Sequence, residues 1–189
     1  MRGQEISLYA EDNFNVNARL SLNAGVRTSL FHTQGKSYYS LQPRLSARYD
    51  LGQGYSAKAS YTCMAQYVHL LSSTPLSMPT DLWVPITKDI SPMYANQFSI
   101  GGYYSGLPGW EFSVEGYYKQ MKHILEYQDG VSFFGTSTNW EEKVEMGEGR
   151  SFGLELMAQK TLGKTTGWLA YTLSKTDHRF KSGTITQGR

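Results

Sequence analysis

The clearest pattern in the chain lies between Leu41 and Tyr67, where apolar and polar residues alternate with a period of two. Leu41, Pro43, Leu45, Ala47 and Tyr49 fall on one side of an extended strand, and Gln42, Arg44, Ser46, Arg48 and Asp50 on the other. After Gly52-Gln53-Gly54 the alternation resumes, with Ala57, Ala59, Tyr61, Cys63, Ala65 and Tyr67 opposing Ser56, Lys58, Ser60, Thr62 and Gln66. Side chains of a strand point alternately to its two faces, so this stretch predicts a β-hairpin with one apolar and one polar, charged face. Each arm is about ten residues long, beyond the roughly 5–6 of an ordinary strand and close to the 9–11 that cross a bilayer at a tilt. Tyr38, Tyr39, Tyr49, Tyr55 and Tyr67 sit at the ends of the arms. Aromatic girdles at both interfaces mark transmembrane β-barrels, and the hairpin is expected to belong to such a wall.

The same period recurs along the chain. Ile6, Leu8 and Ala10 share a side in Glu5 to Glu11, and Asp12-Asn13-Phe14-Asn15 is turn material. Leu20, Leu22, Ala24, Val26, Thr28 and Leu30 oppose Arg19, Ser21, Asn23, Gly25, Arg27 and Ser29. Further alternating runs cover Phe98 to Tyr104, Trp110 to Tyr118, Ser151 to Thr161 and Trp168 to Lys175. Past Lys119 the period blurs through Met121, Ile124 and Leu125, and no faces are assigned there. Val68 to Asn96 holds Pro75, Pro79, Pro85 and Pro92, which argues for a long irregular loop. Tyr127 to Gly149 is a second long polar loop, and Thr184 to Arg189 is expected to be loop.

These runs predict an all-β chain, an antiparallel up-and-down transmembrane β-barrel segment of about eight strands within a larger barrel. Connections near Asn13, Gln53, Pro108 and Gly163 are expected to be tight, and those near Gly35, Met78 and Asn139 longer. Outer-membrane barrels sort their connections in this way, short on the periplasmic side and long outside. Sidedness follows from energy. Arg19, Arg27, Arg44, Arg48 and Lys58 lie on the polar side of their strands, and an Arg or Lys facing lipid at the midplane costs roughly 2–4 kcal/mol. The charged face is therefore expected to line the lumen.

Composition agrees with this picture. The 189 residues include 14 Tyr and 19 Gly but only 6 Pro, which suits an all-β protein. The formal net charge of +2 implies no nucleic-acid partner. A mean hydropathy of −0.45 does not oppose a barrel, whose strands are apolar on one face only. No apolar run is long enough for a membrane helix. The single cysteine, Cys63, excludes an intramolecular disulfide. Both ends break off abruptly, without a signal peptide before Glu5, so the chain is expected to be one partial β-barrel domain over residues 1–189.

Several phrases, "LNAGVR" at Leu22–Arg27, "LQPRLSARY" at Leu41–Tyr49, "GRSFGLEL" at Gly149–Leu156 and "GWLAYTLSKT" at Gly167–Thr176, resemble the barrel of TonB-dependent outer-membrane receptors. The loop words "PTDLWVP" and "ISPMYANQFSIGG" resemble that family in its Bacteroidetes style. The resemblance spans about residues 5–180. It implies a bacterial outer-membrane location and active uptake of a small nutrient ligand (siderophore, cofactor, glycan or peptide). It also implies a barrel of about 22 strands, with outer-membrane lipid, the remaining barrel, the plug domain and, through the plug, the TonB complex as partners. Plug domain, signal peptide and closing strand are expected to lie outside these 189 residues.

Loop aromatics Trp83, Tyr94, Phe133, Phe134 and Trp140 are the candidate ligand contacts, with interface or loop packing as their alternative role. His32, His69, His123 and His178 share no metal-ligand spacing and are expected to be solvated loop residues. Glu111, Glu115 and Glu155 with Arg27, Arg44 and Arg48 suit a lumen lining better than catalysis, so no enzyme activity and no cofactor are expected. Two other readings fit the strand count or the aromatics: a complete eight-stranded outer-membrane barrel with a structural or adhesion role, and a soluble carbohydrate-binding β-sandwich.

Overall fold

The computed structural model describes residues 3–71, 82–128, 140–180 and 183, and the backbone of 185–188. The alternating runs form strands β1 (Gly3–Asn15), β2 (Leu20–Thr33), β3 (Lys36–Gly52), β4 (Tyr55–Gln66), β7 (Met93–Tyr104), β8 (Trp110–Tyr127), β9 (Val144–Lys160) and β10 (Gly167–Arg179). With a short β11 (Ile185–Gly188) they make one antiparallel sheet ordered β1-β2-β3-β4-β7-β8-β9-β10-β11. Every neighbour in the sheet is the next strand in the chain apart from β7, which follows a separate small hairpin, β5 (Val68–Leu71) with β6 (Leu82–Pro85).

The register keeps the faces seen in the sequence. Leu22 pairs with Ala47, which pairs with Ala59, then Ile100, Gly116, Leu154 and Leu173. One residue along, Arg48 pairs with both Ser21 and Lys58, and the row runs on through Gly101, Glu115, Glu155 and Thr172. The first row belongs to an apolar face that leaves Leu8, Leu45, Ile100 and Leu173 at least half exposed. That is the inverse of a soluble domain, whose large apolar patches are covered.

Several boundaries differ from expectation. Asn13, Phe14 and Asn15 continue β1, pairing with Asn23, Leu22 and Ser21, and the turn is Val16–Arg19, where Asn17 Oδ1 accepts from the Arg19 and Leu20 amides at 2.8 Å. The connection at Gly35 is tight, not long. Gln34 and Gly35 both take positive φ (48° and 78°), the two-residue turn whose twist suits a hairpin. Long connections at that end of the sheet are thus the two around 67–92 and 128–143. The first is not wholly irregular, since it contains β5 and β6 and ends where β7 begins at Met93. The second is shorter than expected, because β9 begins at Val144 after a single 3₁₀ turn, Trp140–Lys143. Ile185–Gly188, expected as loop, pairs with Thr176–Arg179.

The blurred stretch after Lys119 has a local cause. β8 runs on to Tyr127, but the register shifts between Lys122 and Ile124, and His123 takes φ 59°. This β-bulge inserts one residue and resets the alternation. Ile124 and Leu125 are then both buried, so the stretch shows no exposed face to read. The His123 Nδ1 donates to the Pro92 carbonyl at 2.9 Å, which fixes the proton on that nitrogen.

Candidate functional site

The core of the described residues sits at the long-loop end. The β3–β4 ladder stops at Arg44 and Thr62, although both strands run further in the same direction. After Gln66 the chain leaves the sheet, and Tyr67 turns onto its polar face. There the phenol meets Ser29 Oγ at 2.8 Å and Ser40 Oγ at 2.7 Å, and Gln42 Nε2 donates to both serines. Its ring stacks on Phe31, and all of these groups are buried. Buried hydroxyls and an amide would be costly unpaired; here each has a partner, which specifies one seat for the chain.

From that seat the β5–β6 hairpin lies over the sheet. The Ile86 amide donates to the Tyr67 carbonyl at 2.8 Å, and the Tyr38 hydroxyl to the Thr87 carbonyl at 2.7 Å. Lys36 Nζ donates to the Lys88 carbonyl at 2.8 Å. Tyr67, Leu71, Val84, Ile86 and Ile90 join Phe31, Leu125 and Val144 in one hydrophobic cluster. Expected as an aromatic of the membrane interface, Tyr67 is instead the buried foot of the hairpin.

The alternation of this hairpin leaves an apolar surface uncovered. Val68, Leu70 and Trp83 are exposed, Trp83 by 66 %, while His69, Leu71 and Val84 point inward. His69 corrects the expectation of a solvated histidine: it is 4 % exposed, with no partner for Nε2 among the described residues. Burial pushes its pKa below the ordinary 6.5, so the ring is neutral at neutral pH. Of the other histidines, His178 Nδ1 lies 3.2 Å from Glu126 Oε1, and His32 Nδ1 lies 2.9 Å from Ser37 Oγ.

Among the aromatic candidates, Trp83 stands on the exposed side of the hairpin. Tyr94, on β7, bridges the gap left by the ended ladder, its hydroxyl donating to the Tyr39 carbonyl at 3.3 Å. Trp140 packs partly buried against the cluster, and its indole N–H has no acceptor among the described residues. Phe133 and Phe134 lie outside the described residues. Val68 and Leu70 were missed because they are aliphatic residues in a proline-rich segment, where aromatics drew the assignment; the short alternation Tyr67-Val68-His69-Leu70-Leu71 was the available signal.

Below the hairpin, the polar face is a continuous hydrogen-bonded surface. Arg27 reaches Glu5 Oε1 at 3.1 Å and Ser7 Oγ at 3.0 Å, and Asn23 Nδ2 donates to Glu11 and Asn13, both at 2.7 Å. The Tyr103 hydroxyl donates to Glu115, and Lys58 Nζ stands 4.2 Å above the Tyr103 ring. A cavity of about 450 Å³ opens here between Arg48, Lys58, Tyr103 and Glu115. These groups can hydrogen-bond and neutralise one another. Among the described residues no three His, Cys, Asp or Glu side chains are grouped to hold a metal ion.

Long antiparallel strands in chain order, an uncovered apolar face and a polar face with a loop folded over it define the wall of an outer-membrane β-barrel. The family model described as "TonB dependent receptor-like, beta-barrel" matches residues 1–189, and the chain belongs to that family. Its place is the bacterial outer membrane, and the family is one of receptors. Solved structures agree in fold. The alcaligin outer-membrane receptor of Bordetella pertussis is 18 % identical over 97 % of this chain and 32 % of its own, with a TM-score of 0.59. The ferripyoverdine receptor of Pseudomonas aeruginosa bound to ferripyoverdine is 19 % identical over 97 % of this chain and 24 % of its own, at 0.64. The ferric-catecholate import receptor of Escherichia coli K12 is 16 % identical over 96 % of this chain and 28 % of its own, also at 0.64. The chain thus spans about a quarter to a third of the length of these receptors. The search of curated proteins finds no match.

Proposed function

We propose that this chain forms part of the barrel wall of a receptor that imports a small nutrient ligand, with a ferric siderophore as the favoured class. The observation that carries the proposal is the β5–β6 hairpin, seated on the polar face by Tyr67 and presenting Val68, Leu70 and Trp83 on its free side. A hairpin fixed by a buried network offers an apolar platform above a polar lumen, which suits capture of a ligand with an aromatic or apolar surface. Siderophore ligands are supported by the names of structurally similar receptors, and a Bacteroidetes-type receptor by the loop wording.

In this reading the 1–189 segment is a partial barrel domain. Lipid surrounds its apolar face, and the remaining barrel continues from its edges. A plug domain lies against the Arg27, Arg48, Lys58 and Glu115 surface, and energy comes from the TonB complex through that plug. Trp83 and Trp140, with Phe133 and Phe134, are the proposed ligand contacts; Tyr94 falls on a row of the apolar face and is set apart from them. The test is uptake of radiolabelled ferric siderophores by cells carrying the full-length receptor or its Trp83→Ala variant. Uptake should depend on the receptor and on TonB, and the variant should bind more weakly at equal surface abundance. Receptor-independent uptake across a catecholate, hydroxamate and mixed panel would remove the siderophore assignment.

A further inference from the structure

On the apolar face, the last rows before the long-loop end change character abruptly. The row Ile100–Gly116–Leu154–Leu173 is followed by Phe98–Tyr118–Phe152–Lys175, then by Asn96–Gln120–Arg150–Asp177 and Tyr94–Lys122–Glu148–Arg179. Going outward, an apolar band therefore meets an aromatic row that carries one lysine, and then a charged belt. The belt sets Lys122, Arg150 and Arg179 against Glu148 and Asp177, and Lys175 of the aromatic row adds a fourth positive charge beside it. Aromatic rings with snorkelling lysines mark the headgroup level of a membrane.

Two hollows meet at this boundary. A groove of about 720 Å³ opens over Gly116, walled by Phe98, Ile100, Tyr118, Phe152 and Leu154. A Cβ built on Gly116 would meet only the Gly153 carbonyl oxygen, at 3.9 Å, so the glycine is the floor of an open slot. Directly outward lies a second hollow of about 630 Å³ among Gln120, Arg150, Lys175 and Arg179. Tyr118 and Lys175 border both hollows.

The cations there are held in place. Asp177 is 12 % exposed and accepts from Arg150 Nε at 3.2 Å through one oxygen, while Lys175 Nζ stands 3.5 Å from the other. Arg150 and Lys175 remain 63 % and 50 % exposed. Among the described residues Arg150 uses only Nε, which leaves its two terminal amino groups for a planar guanidinium fork that matches phosphate geometry. Asp177 thus works as a partly buried anchor that aims two cations outward.

We propose that this face binds a phosphate-bearing membrane lipid, with its headgroup against Arg150 and Lys175 and an acyl chain in the groove over Gly116. An apolar slot continuous with a net-positive pocket at headgroup level complements such a lipid at both ends. Uncharged lipids would leave the cations unmatched, and free phosphate would leave the groove unused.

The test uses the full-length receptor in detergent, with diphosphoryl lipid A as probe and native mass spectrometry as readout. The wild type should retain one lipid A through delipidation. Arg150→Gln with Lys175→Gln should weaken retention by roughly tenfold or more, and monophosphoryl lipid A should be held less tightly than the diphosphoryl form. Gly116→Phe should also weaken retention, because a ring there takes up space in the slot, and the Cβ it adds meets nothing closer than 3.9 Å. If the glutamine variants fail to assemble, Arg150→Lys with Lys175→Arg keeps the charge, and Gly116→Phe still decides. Retention unchanged in Gly116→Phe and in the charge variants would overturn the proposal. So would full displacement by millimolar inorganic phosphate, which would mark an ion site with no role for the groove.

Discussion

The ring of Tyr67 stacks on that of Phe31 with centroids 5.0 Å apart and planes 6° from parallel. This contact joins the first residue after a sheet strand to a residue two strands away, and it seats the foot of the β5–β6 hairpin on the sheet. The stack supplies apolar burial; the phenol supplies specificity through Ser29 and Ser40. Substituting Tyr67→Phe keeps the stack but leaves the two serines each short of a partner. It should loosen the hairpin by about 1–3 kcal/mol while the barrel still assembles. Hydrogen exchange at the Ile86 amide, bonded to the Tyr67 carbonyl, would show it as faster opening.

Trp140 provides the opposite case. Its indole N–H is buried without an acceptor among the described residues, so the polar atom gives no stability in return for its desolvation. Trp140→Phe should change stability by less than about 1 kcal/mol, whereas Trp140→Ala should cost about 3 kcal/mol through lost packing. Thermal melts of the refolded receptor separate the two outcomes. A large cost for Trp140→Phe would mean that the N–H is satisfied in the folded receptor.

His69 gives the platform a pH dependence whose sign is fixed by burial. Its folded pKa lies below the ordinary 6.5, so the undocked state takes up a proton first as the pH falls. The contribution of this residue to docking is complete above pH ~6.5 and declines as pH drops from there toward the folded value. Protection of the Ile86 amide, corrected for intrinsic exchange, should fall between pH 8 and pH 5.5. His69→Phe should abolish that difference; a difference of equal size in the variant would assign it to another group.

The sheet was legible because membrane crossing enforces strict alternation over long strands. Rows such as Ala47–Ala59–Ile100–Leu154 keep one face from β3 to β9 without a slip in sequence or structure. Alternation carries no information where it is interrupted. One inserted residue, His123, hid the last third of β8, and Asn13-Phe14-Asn15 combined turn residues with strand pairing. The hairpin was hidden for a different reason: its four-residue strands are too short to establish a period, and their seat depends on Ser29, Ser40 and Gln42 in distant strands. Trp83 was recognisable as a loop aromatic, but its exposure follows from a register that no local pattern encodes.

The two faces should differ sharply in their tolerance of charge. Leu45 is 51 % exposed on the apolar face, and Ser46, its neighbour, pairs with Ser60 on the polar face. Leu45→Arg should impair assembly by roughly 2–4 kcal/mol if it faces the bilayer midplane, and Ser46→Arg should be tolerated. Folding of the full-length receptor into lipid vesicles, followed by heat-modifiability on gels, compares them directly. Equal behaviour of the two variants would refute the assignment of lipid to the apolar face.

The orientation of the wall can be tested from its two ends. Gln53, in the β3–β4 turn, takes φ 54° beside Gly54 at 83°, a tight two-residue connection, and Ser105 N–H bonds the Gly54 carbonyl at 2.8 Å. Lys88, 62 % exposed in its side chain, lies at the opposite end, where the hairpin rests on Lys36 and Tyr38. Outer-membrane barrels keep short turns periplasmic and long loops extracellular, so Lys88 should face outward and Gln53 inward. In a Cys63→Ala background, the full-length receptor with Lys88→Cys should react with a membrane-impermeant maleimide on intact cells. Gln53→Cys should react only after the outer membrane is opened. The reverse pattern would place the hairpin platform on the periplasmic side, where it could not meet an incoming ligand, and the proposed role of Val68, Leu70 and Trp83 would fall with it.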